Sequence, residues 1–263
     1  RMDIKKSLYD KIEDYVNESA IFATNTSGLS INSLAEVFPE SLKQRFCGVH
    51  FFNPPRYMHL VEIIPAKTTE ASVIDDLTEF LTTTLGKGVV NAKDTPNFIA
   101  NRIGVFSIIC TIYHGMKFKI PLETVDALTG TLIGRAKSAT FRTADVVGLD
   151  TLNHTVNTMK NGLPDDPWNQ HYQLPEWLQE LIKNGALGQK SGAGVYQKQG
   201  KEIKIIDIEQ GQYRTQNAEI EPEVLAVLKN KNAGERFAQL RAMKDSAQAQ
   251  FLWSMYRDLF HYS

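Results

Sequence analysis

Two residues with acid–base chemistry, His50 and Glu62, lie in neighbouring apolar segments, RFCGVHFF and MHLVEIIP. The tripeptide Asn53-Pro54-Pro55 separates the two segments. Because proline is excluded from central strands, this tripeptide predicts a turn between two strands. If these strands pair, the carboxylate of Glu62 is buried and needs a hydrogen-bond partner. The imidazole of His50 on the opposite strand can be that partner, and the carboxylate in turn fixes the tautomer of the imidazole. Such a pair can act as a general acid–base. A structural histidine beside a solvated glutamate is the alternative.

A second candidate site is Asn25-Thr26-Ser27, which follows the short strand-like segment AIFAT. Small polar residues at the carboxyl end of a strand in an open α/β sheet lie at the edge where such folds bind ligands. The same residue types also begin helices well, so a plain strand-to-helix turn is the alternative.

Metal and nucleophile chemistry are not indicated. The other histidines form neither HxxxH nor HExxH and have no neighbouring Cys or Asp cluster, so we predict no metal site. Cys47 lies in a predicted strand and Cys110 in a very apolar predicted helix, which is typical of buried, unreactive thiols. The GxSxG motif of serine hydrolases is absent.

The glycine pattern of dinucleotide-binding proteins is also missing. GxG occurs at Gly86/Gly88 and at Gly192/Gly194, and neither pair is followed by a glycine three residues later. The second pair follows a predicted helix rather than a strand, which favours a turn over a phosphate-binding loop.

The composition is that of a soluble globular protein. The 263 residues carry a formal charge of −1, with 42% hydrophobic and 22% charged residues, which excludes overall disorder and gives no global attraction to nucleic acid or an anionic membrane. Two cysteines form no disulfide framework. We find no transmembrane run and no signal peptide, so a cytoplasmic location without membrane insertion is expected.

Helices and strands alternate over 1–93, which predicts an open α/β sheet. A short helix is expected in SINSLAEVF, with Ser30 as its N-cap. Helical periodicity dominates 94–198, an all-α domain that includes a nearly all-apolar helix from about residue 97. A further predicted helix covers TADVVGLDTLNHTVNTMK, residues 143–160. A glycine-rich turn and two short strand-like runs near 185–206 predict a hairpin or a linker. Residues 199–263 read as a linker followed by the start of a second helical domain. The predicted fold class is therefore α/β followed by all-α.

Five segments together resemble one family. NTSGLSI, GVHFFNPPRYMHLVEIIP, KDTPNFIANRI, TADVVGLDT and LGQKSGAGVYQK occur in the order and approximate spacing of the L-3-hydroxyacyl-CoA dehydrogenases. The similarity extends from the first residues to about Lys198. The segment GRAKSATFRTADVVGLDT resembles the long bacterial members related to the multifunctional enzymes of fatty-acid oxidation, in which a second helical domain and an enoyl-CoA hydratase module accompany the dehydrogenase.

The resemblance assigns roles to matching positions. His50 corresponds to the catalytic base of the family and Glu62 to its carboxylate partner. Ser27 corresponds to the serine near the substrate oxygen, and Asn101 to the asparagine that completes the substrate site.

Two further positions match residues near the cofactor, which in this family is NAD. Asn25 corresponds to a residue near the nicotinamide ribose, and Lys5 to a lysine close to the cofactor. The implied reaction is oxidation of an L-3-hydroxyacyl-CoA to a 3-ketoacyl-CoA in fatty-acid β-oxidation, by a protein that resembles homodimeric enzymes.

The chain departs from the family in two places. Asn97 stands where the family has glycine, and because asparagine tolerates positive φ best among other residues, we expect the turn to persist with mild strain. The first βαβ unit of the family, with its glycine-rich turn, has no counterpart in the sequence. Residues 1–93 are thus expected to be the C-terminal part of a Rossmann-type NAD-binding domain.

Two other functions remain open from the sequence. The helical region could be a non-catalytic dimerisation or assembly module, since such domains often have large apolar faces. Alternatively, the chain could belong to a related dehydrogenase that acts on another hydroxy acid without coenzyme A.

We predict that the 263 residues alone turn over little or no substrate. The main binding site for the cofactor's pyrophosphate is a helix N-terminus with glycine-rich backbone amides, and these residues do not include one. Steady-state reduction of acetoacetyl-CoA by NADH measures this. Robust turnover would contradict the prediction.

Overall fold

The computed structural model describes residues 1 to 263 and divides into two compact units, Arg1–Arg102 and Ile103–Ser263. Unit 1 combines helices with one four-stranded sheet. Its elements are α1 (Met2–Ile12), β1 (Phe22–Thr24), α2 (Ile31–Ala35), α3 (Glu40–Lys43), β2 (Phe46–Phe51), β3 (Leu60–Pro65), α4 (Ala71–Glu79) and β4 (Gly88–Asn91).

The sheet of unit 1 has the strand order β1-β2-β3-β4. β1 is parallel to β2, β2 is antiparallel to β3, and β3 is parallel to β4. The antiparallel pair follows from the proline-containing turn, which returns the chain beside β2. The carboxyl ends of β1 and β2 and the start of β3 therefore share one edge of the sheet.

Local signals explain the start of α2. The hydroxyl of Ser30 accepts a hydrogen bond from Ser33 N at 3.2 Å, which confirms the predicted N-cap. Asp94 adds a second anchor, since its carboxylate accepts hydrogen bonds from Ile31 N and Asn32 N, both at 2.9 Å. A negative charge is favourable at this end of a helix. The segment that follows β4 is thus fastened to the segment that follows β1.

Unit 2 is mainly helical. The first three residues of the 18-residue helix α5 (Ala100–Lys117) belong to unit 1, and the rest of the helix belongs to unit 2. Although α5 is largely apolar, no helix of the chain has both the length and the apolar character needed to cross a bilayer. The remaining elements are α6 (Leu122–Thr129), α7 (Phe141–Val147), α8 (Leu149–Gly162), α9 (Glu176–Lys183), β5 (Tyr196–Gln199), β6 (Glu202–Asp207), β7 (Gln212–Arg214), α10 (Pro222–Leu228), α11 (Ala233–Ala242) and α12 (Ala247–Tyr262).

One hydrophobic core serves all of unit 2, and side chains from the helices of 103–198 and of 222–262 contribute to it together. The segment from Thr143 to Lys160, which we read as a single helical stretch, is interrupted at Gly148. This glycine has a φ of 96° and separates α7 from α8. The predicted hairpin is present as β5 and β6, and β7 extends it to a three-stranded antiparallel sheet.

The glycine-rich turn before β5 surrounds a buried carboxylate. Val195 N and Tyr196 N each donate a hydrogen bond of 2.8 Å to Asp145. Burial raises the pKa of Asp145 to about 6, even though these two amides oppose the shift. The turn amides are therefore committed to a side chain of the protein itself, as expected for a structural turn rather than a phosphate-binding loop.

The close approach at Asp145 predicts different costs for two neighbouring glycines. A Cβ at Gly194 would lie 2.1 Å from Asp145 Oδ1, whereas a Cβ at Gly192 would meet nothing within 4 Å. We expect Gly194→Ala to lower the free energy of unfolding by about 3 kcal/mol, because backbone or carboxylate must move. Gly192→Ala, with φ at 77°, should cost about 1 kcal/mol. Urea denaturation of both variants measures the difference, and equal losses would contradict it.

Candidate active site

His50 and Glu62 face each other across the antiparallel strands β2 and β3, where they form a directly paired register position. His50 Nδ1 lies 2.8 Å from Glu62 Oε2. The side chains are almost completely buried, with 3% of His50 and 1% of Glu62 exposed. The strand pairing and facing side chains predicted from the sequence are therefore both present.

The second carboxylate oxygen of Glu62 contacts the start of α5. Oε1 accepts hydrogen bonds from Ile99 N at 3.1 Å and from Ala100 N at 2.7 Å. Ile99 precedes α5 and Ala100 is its first residue, so neither backbone N–H has a hydrogen-bond acceptor within the helix. Burial raises the pKa of Glu62, but the hydrogen bonds from His50, Ala100 and Ile99 outweigh it and hold the pKa below its ordinary value. Glu62 is ionised at neutral pH.

This ionised carboxylate sets the tautomer of His50. An ionised carboxylate can only accept, so Nδ1 carries a proton, and in the neutral imidazole the lone pair is then on Nε2. Two aromatic rings border the imidazole: the centroid of Phe52 lies 4.5 Å away and that of Phe98 lies 5.8 Å away. The arrangement leaves one basic nitrogen on an oriented ring, which is what a general base requires.

The residues expected near a cofactor lie at the same edge of the sheet. Asn25 follows β1, is exposed, and accepts a hydrogen bond from Phe51 N, the residue after His50, at 2.9 Å. Lys5 of α1 donates to Thr24 Oγ1 at 3.3 Å, and Tyr9 donates to the same oxygen at 2.6 Å. Asn25 and Lys5 are thus both placed at the carboxyl end of β1.

Ser27 and Asn101, the expected substrate residues, are in contact. Asn101 Nδ2 donates a hydrogen bond of 3.3 Å to the backbone oxygen of Ser27. Ser27 is exposed and Asn101 is half-buried. Because Asn101 lies one residue after Ala100, which binds Glu62, one short segment connects the exposed turn after β1 with the buried pair.

Unit 2 contains a polar cluster that sequence spacing did not reveal. Ligand-type atoms of Cys110, His114 and Asp258 lie within 4.8 Å of one another, all buried. His114 Nε2 is 2.6 Å from Asp258 Oδ2, and Arg257 pairs with the other oxygen at 2.6 Å. Burial, followed by the nearby Asp258 charge, raises the pKa of Cys110 to about 12. Asp258 is 144 residues from His114, so no local motif could have predicted this pair.

Cys47 lies on β2 inside the sheet and is fully buried. Burial raises the pKa of its thiol to about 12. Both cysteines therefore have the inert, buried character predicted for them.

Two known family models together match about three quarters of the length of the chain. Residues 1–95 match the family "3-hydroxyacyl-CoA dehydrogenase, NAD binding domain", and residues 98–198 match "3-hydroxyacyl-CoA dehydrogenase, C-terminal domain". The chain belongs to the 3-hydroxyacyl-CoA dehydrogenase family. The predicted family and the predicted α/β-then-helical fold class are confirmed.

Individual relatives agree with this assignment. A probable 3-hydroxyacyl-CoA dehydrogenase of Bacillus subtilis is 37% identical over 264 residues, covering 100% of this chain and 33% of its own length. A Deinococcus radiodurans protein of the same description is 44% identical over 198 residues, covering 75% and 56%. The chain thus spans between a third and just over half of these curated relatives.

Among solved structures, (S)-3-hydroxybutyryl-CoA dehydrogenase from Ralstonia eutropha is 30% identical to this chain. The similarity covers 75% of this chain and 67% of that protein, with a TM-score of 0.63.

The residues of unit 1 fit one end of a dinucleotide. Asn25 and Lys5 are polar, accessible at least in part, and adjacent to His50 through the sheet edge. The chain contains no glycine-rich turn between a strand and a helix, and the amides beside Gly194 bind Asp145. These polar side chains are chemically able to hydrogen-bond a nucleotide, but the sequence offers no glycine-rich turn of the kind that binds its pyrophosphate.

Glu62→Gln should remove a pH-dependent part of the stability. The folded-state pKa of Glu62 is lowered from an ordinary value of 4.5, so its contribution is present above that pH and is lost as the pH falls through the folded pKa. We expect the variant to lose about 1–3 kcal/mol of unfolding free energy near neutrality and to approach the wild type in acid.

Denaturant titrations at several pH values measure this difference. Glu36→Gln is the control, because Glu36 forms an exposed ion pair with Lys6 and its loss should stay within about 0.5 kcal/mol. A Glu62→Gln deficit that does not change with pH contradicts the prediction.

Proposed function

We propose that this chain carries the proton-transfer site of an NAD-dependent L-3-hydroxyacyl-CoA dehydrogenase, which oxidises the substrate to a 3-ketoacyl-CoA in fatty-acid β-oxidation. The observation that carries the proposal is the buried His50–Glu62 pair, in which His50 Nδ1 lies 2.8 Å from a carboxylate oxygen. Membership in the family supports the choice of reaction.

In this proposal Nε2 of His50 takes the proton of the 3-hydroxyl group. The imidazolium that forms lies beside the ionised Glu62, so the new positive charge is compensated inside a poorly solvated site. NAD, when bound, accepts the hydride from C3 of the substrate. Because Oε1 of Glu62 is held by the amides of Ile99 and Ala100, the carboxylate does not need to reorganise as the charge develops.

The substrate and cofactor residues have distinct roles in the same proposal. Ser27 and Asn101 bind the reacting oxygen of the substrate, and their mutual contact supports a joint role. Asn25 and Lys5 contact the nicotinamide half of NAD, which their place at the carboxyl end of β1 supports.

We further propose a division into an NAD-binding domain over 1–93, a helical substrate and dimerisation domain over 94–198, and a linker with the start of a second helical domain over 199–263. The helices of this last segment share one hydrophobic core with the helices of 103–198, so the segment does not form a compact unit of its own here. The family matches over 1–95 and 98–198 support the first two. A homodimer, a fused enoyl-CoA hydratase module in the full-length protein and a cytoplasmic location complete the proposal. Similarity to putative fatty acid oxidation complex trifunctional enzymes of Rickettsia prowazekii and Rickettsia felis, 34% and 35% identical over 210 residues, supports a multifunctional enzyme.

His50→Gln tests the proposed base. In the full-length enzyme we expect kcat to fall by about 10²- to 10⁴-fold, because a positioned general base is lost, while the melting temperature changes little. Reduction of acetoacetyl-CoA by NADH measures the rate. The matched control is His154→Gln, since His154 is exposed on α8 and should leave kcat unchanged. Retention of most activity in the His50 variant would exclude the proposed role.

The substrate class requires a separate measurement. Binding of CoA esters should raise the melting temperature of the full-length protein more than binding of the corresponding free hydroxy acids, because a ligand stabilises the state that it binds. A larger shift with free hydroxy acids would favour a dehydrogenase of another substrate class.

A further inference from the structure

Two consecutive residues in front of α5 have an unusual backbone conformation. Asn97 and Phe98 have φ angles of 62° and 55°, in the left-handed region. Asparagine is tolerated there, but for a bulky aromatic residue the conformation is rare and costly. Such strain persists only where the surrounding structure enforces it, and it is concentrated at functional sites. The contacts of Phe98 show what the conformation achieves.

The first consequence concerns the backbone. Phe98 N donates to Thr95 O at 3.0 Å, which closes a tight turn. The next two amides, of Ile99 and Ala100, then both point at Glu62 Oε1. The left-handed turn therefore converts the start of α5 into a pair of donors for the carboxylate that orients His50.

The second consequence concerns the ring. Phe98 is 2% exposed, and its ring meets the His50 imidazole edge-on, with centroids 5.8 Å apart and planes at 60°. Phe52 contacts the imidazole as well. An imidazole packed against two aromatic rings has little freedom to rotate, so Nδ1 stays directed at Glu62.

We propose that Phe98 is a positioning residue of the His50–Glu62 pair. Its ring confines the imidazole, and its left-handed backbone aims two amides at Glu62. The proposal rests on the proposed role of His50 as the base, but the geometry that it concerns is observable without substrate.

General core packing is the competing explanation, because Phe98 also belongs to a hydrophobic cluster of unit 1. Phe38 belongs to the same cluster, is 3% exposed, and contacts Tyr9, Phe22 and Phe46 rather than His50. Phe38→Leu therefore removes an equivalent ring from the same core and serves as the matched control.

The test is NMR of the imidazole Nδ1 proton of His50, assigned with His50→Gln, together with hydrogen exchange at Ala100 N. In Phe98→Leu we expect exchange of the imidazole proton to accelerate at least about tenfold relative to Phe38→Leu, because local opening is easier. Phe98→Gly relieves the backbone strain but lacks the ring, so it should show the same acceleration while Ala100 keeps its protection within about threefold.

Equal exchange of the imidazole proton in Phe98→Leu and Phe38→Leu would overturn the proposal, and so would loss of Ala100 protection in Phe98→Gly. In the full-length enzyme, Phe98→Leu should lower kcat more than it changes KM. If the full-length enzyme has no dehydrogenase activity, the proposed function fails, whereas the exchange measurements still decide the role of Phe98.

Discussion

Compensation of one buried negative charge, on Glu62, is the constraint around which unit 1 is organised. Glu62 is 1% exposed, and a carboxylate buried to this extent is tolerated only when its oxygens accept hydrogen bonds. One oxygen binds His50 on the neighbouring strand, and the other binds the amides of Ile99 and Ala100. A shift of the β2–β3 register by one residue would move the imidazole to the other face and leave the carboxylate without its partner. Sheet register, helix start and imidazole orientation thus depend on the same group.

Buried or half-buried acids that accept hydrogen bonds from backbone amides recur elsewhere in the chain. Asp94 holds the start of α2, and Asp145 holds the turn before β5. Asp126 accepts hydrogen bonds from the amides of Thr140, Phe141 and Arg142 at the start of α7. Each of these acids connects segments that are distant in sequence, and none of the three is hydrogen-bonded to a histidine. Glu62 differs because the same carboxylate also binds an imidazole ring, that of His50.

Much of the fold could be predicted because local signals are strong. The prolines after β2 indicated the turn, Ser30 indicated the start of α2, and long periodicity indicated α5. The short helix α3 and the strand β7 were not predicted, since elements of three or four residues carry too little periodicity. The break between α7 and α8 was missed because glycine is tolerated inside helical patterns, and only the φ of Gly148 shows that the helix ends.

Sequence alone determined which residue types are available for chemistry, the apolar context of His50 and Glu62, and their separation by a turn. It also indicated that Asn97 could accept a positive φ. Tertiary structure decided the rest. Glu62 accepts hydrogen bonds from the start of α5, Phe98 has a positive φ and packs its ring against His50, and His114 is hydrogen-bonded to Asp258 on a helix distant in sequence. The reason is physical. Periodicity and turn chemistry act over a few residues, whereas the energy of a buried charge depends on groups that only folding brings within hydrogen-bond distance.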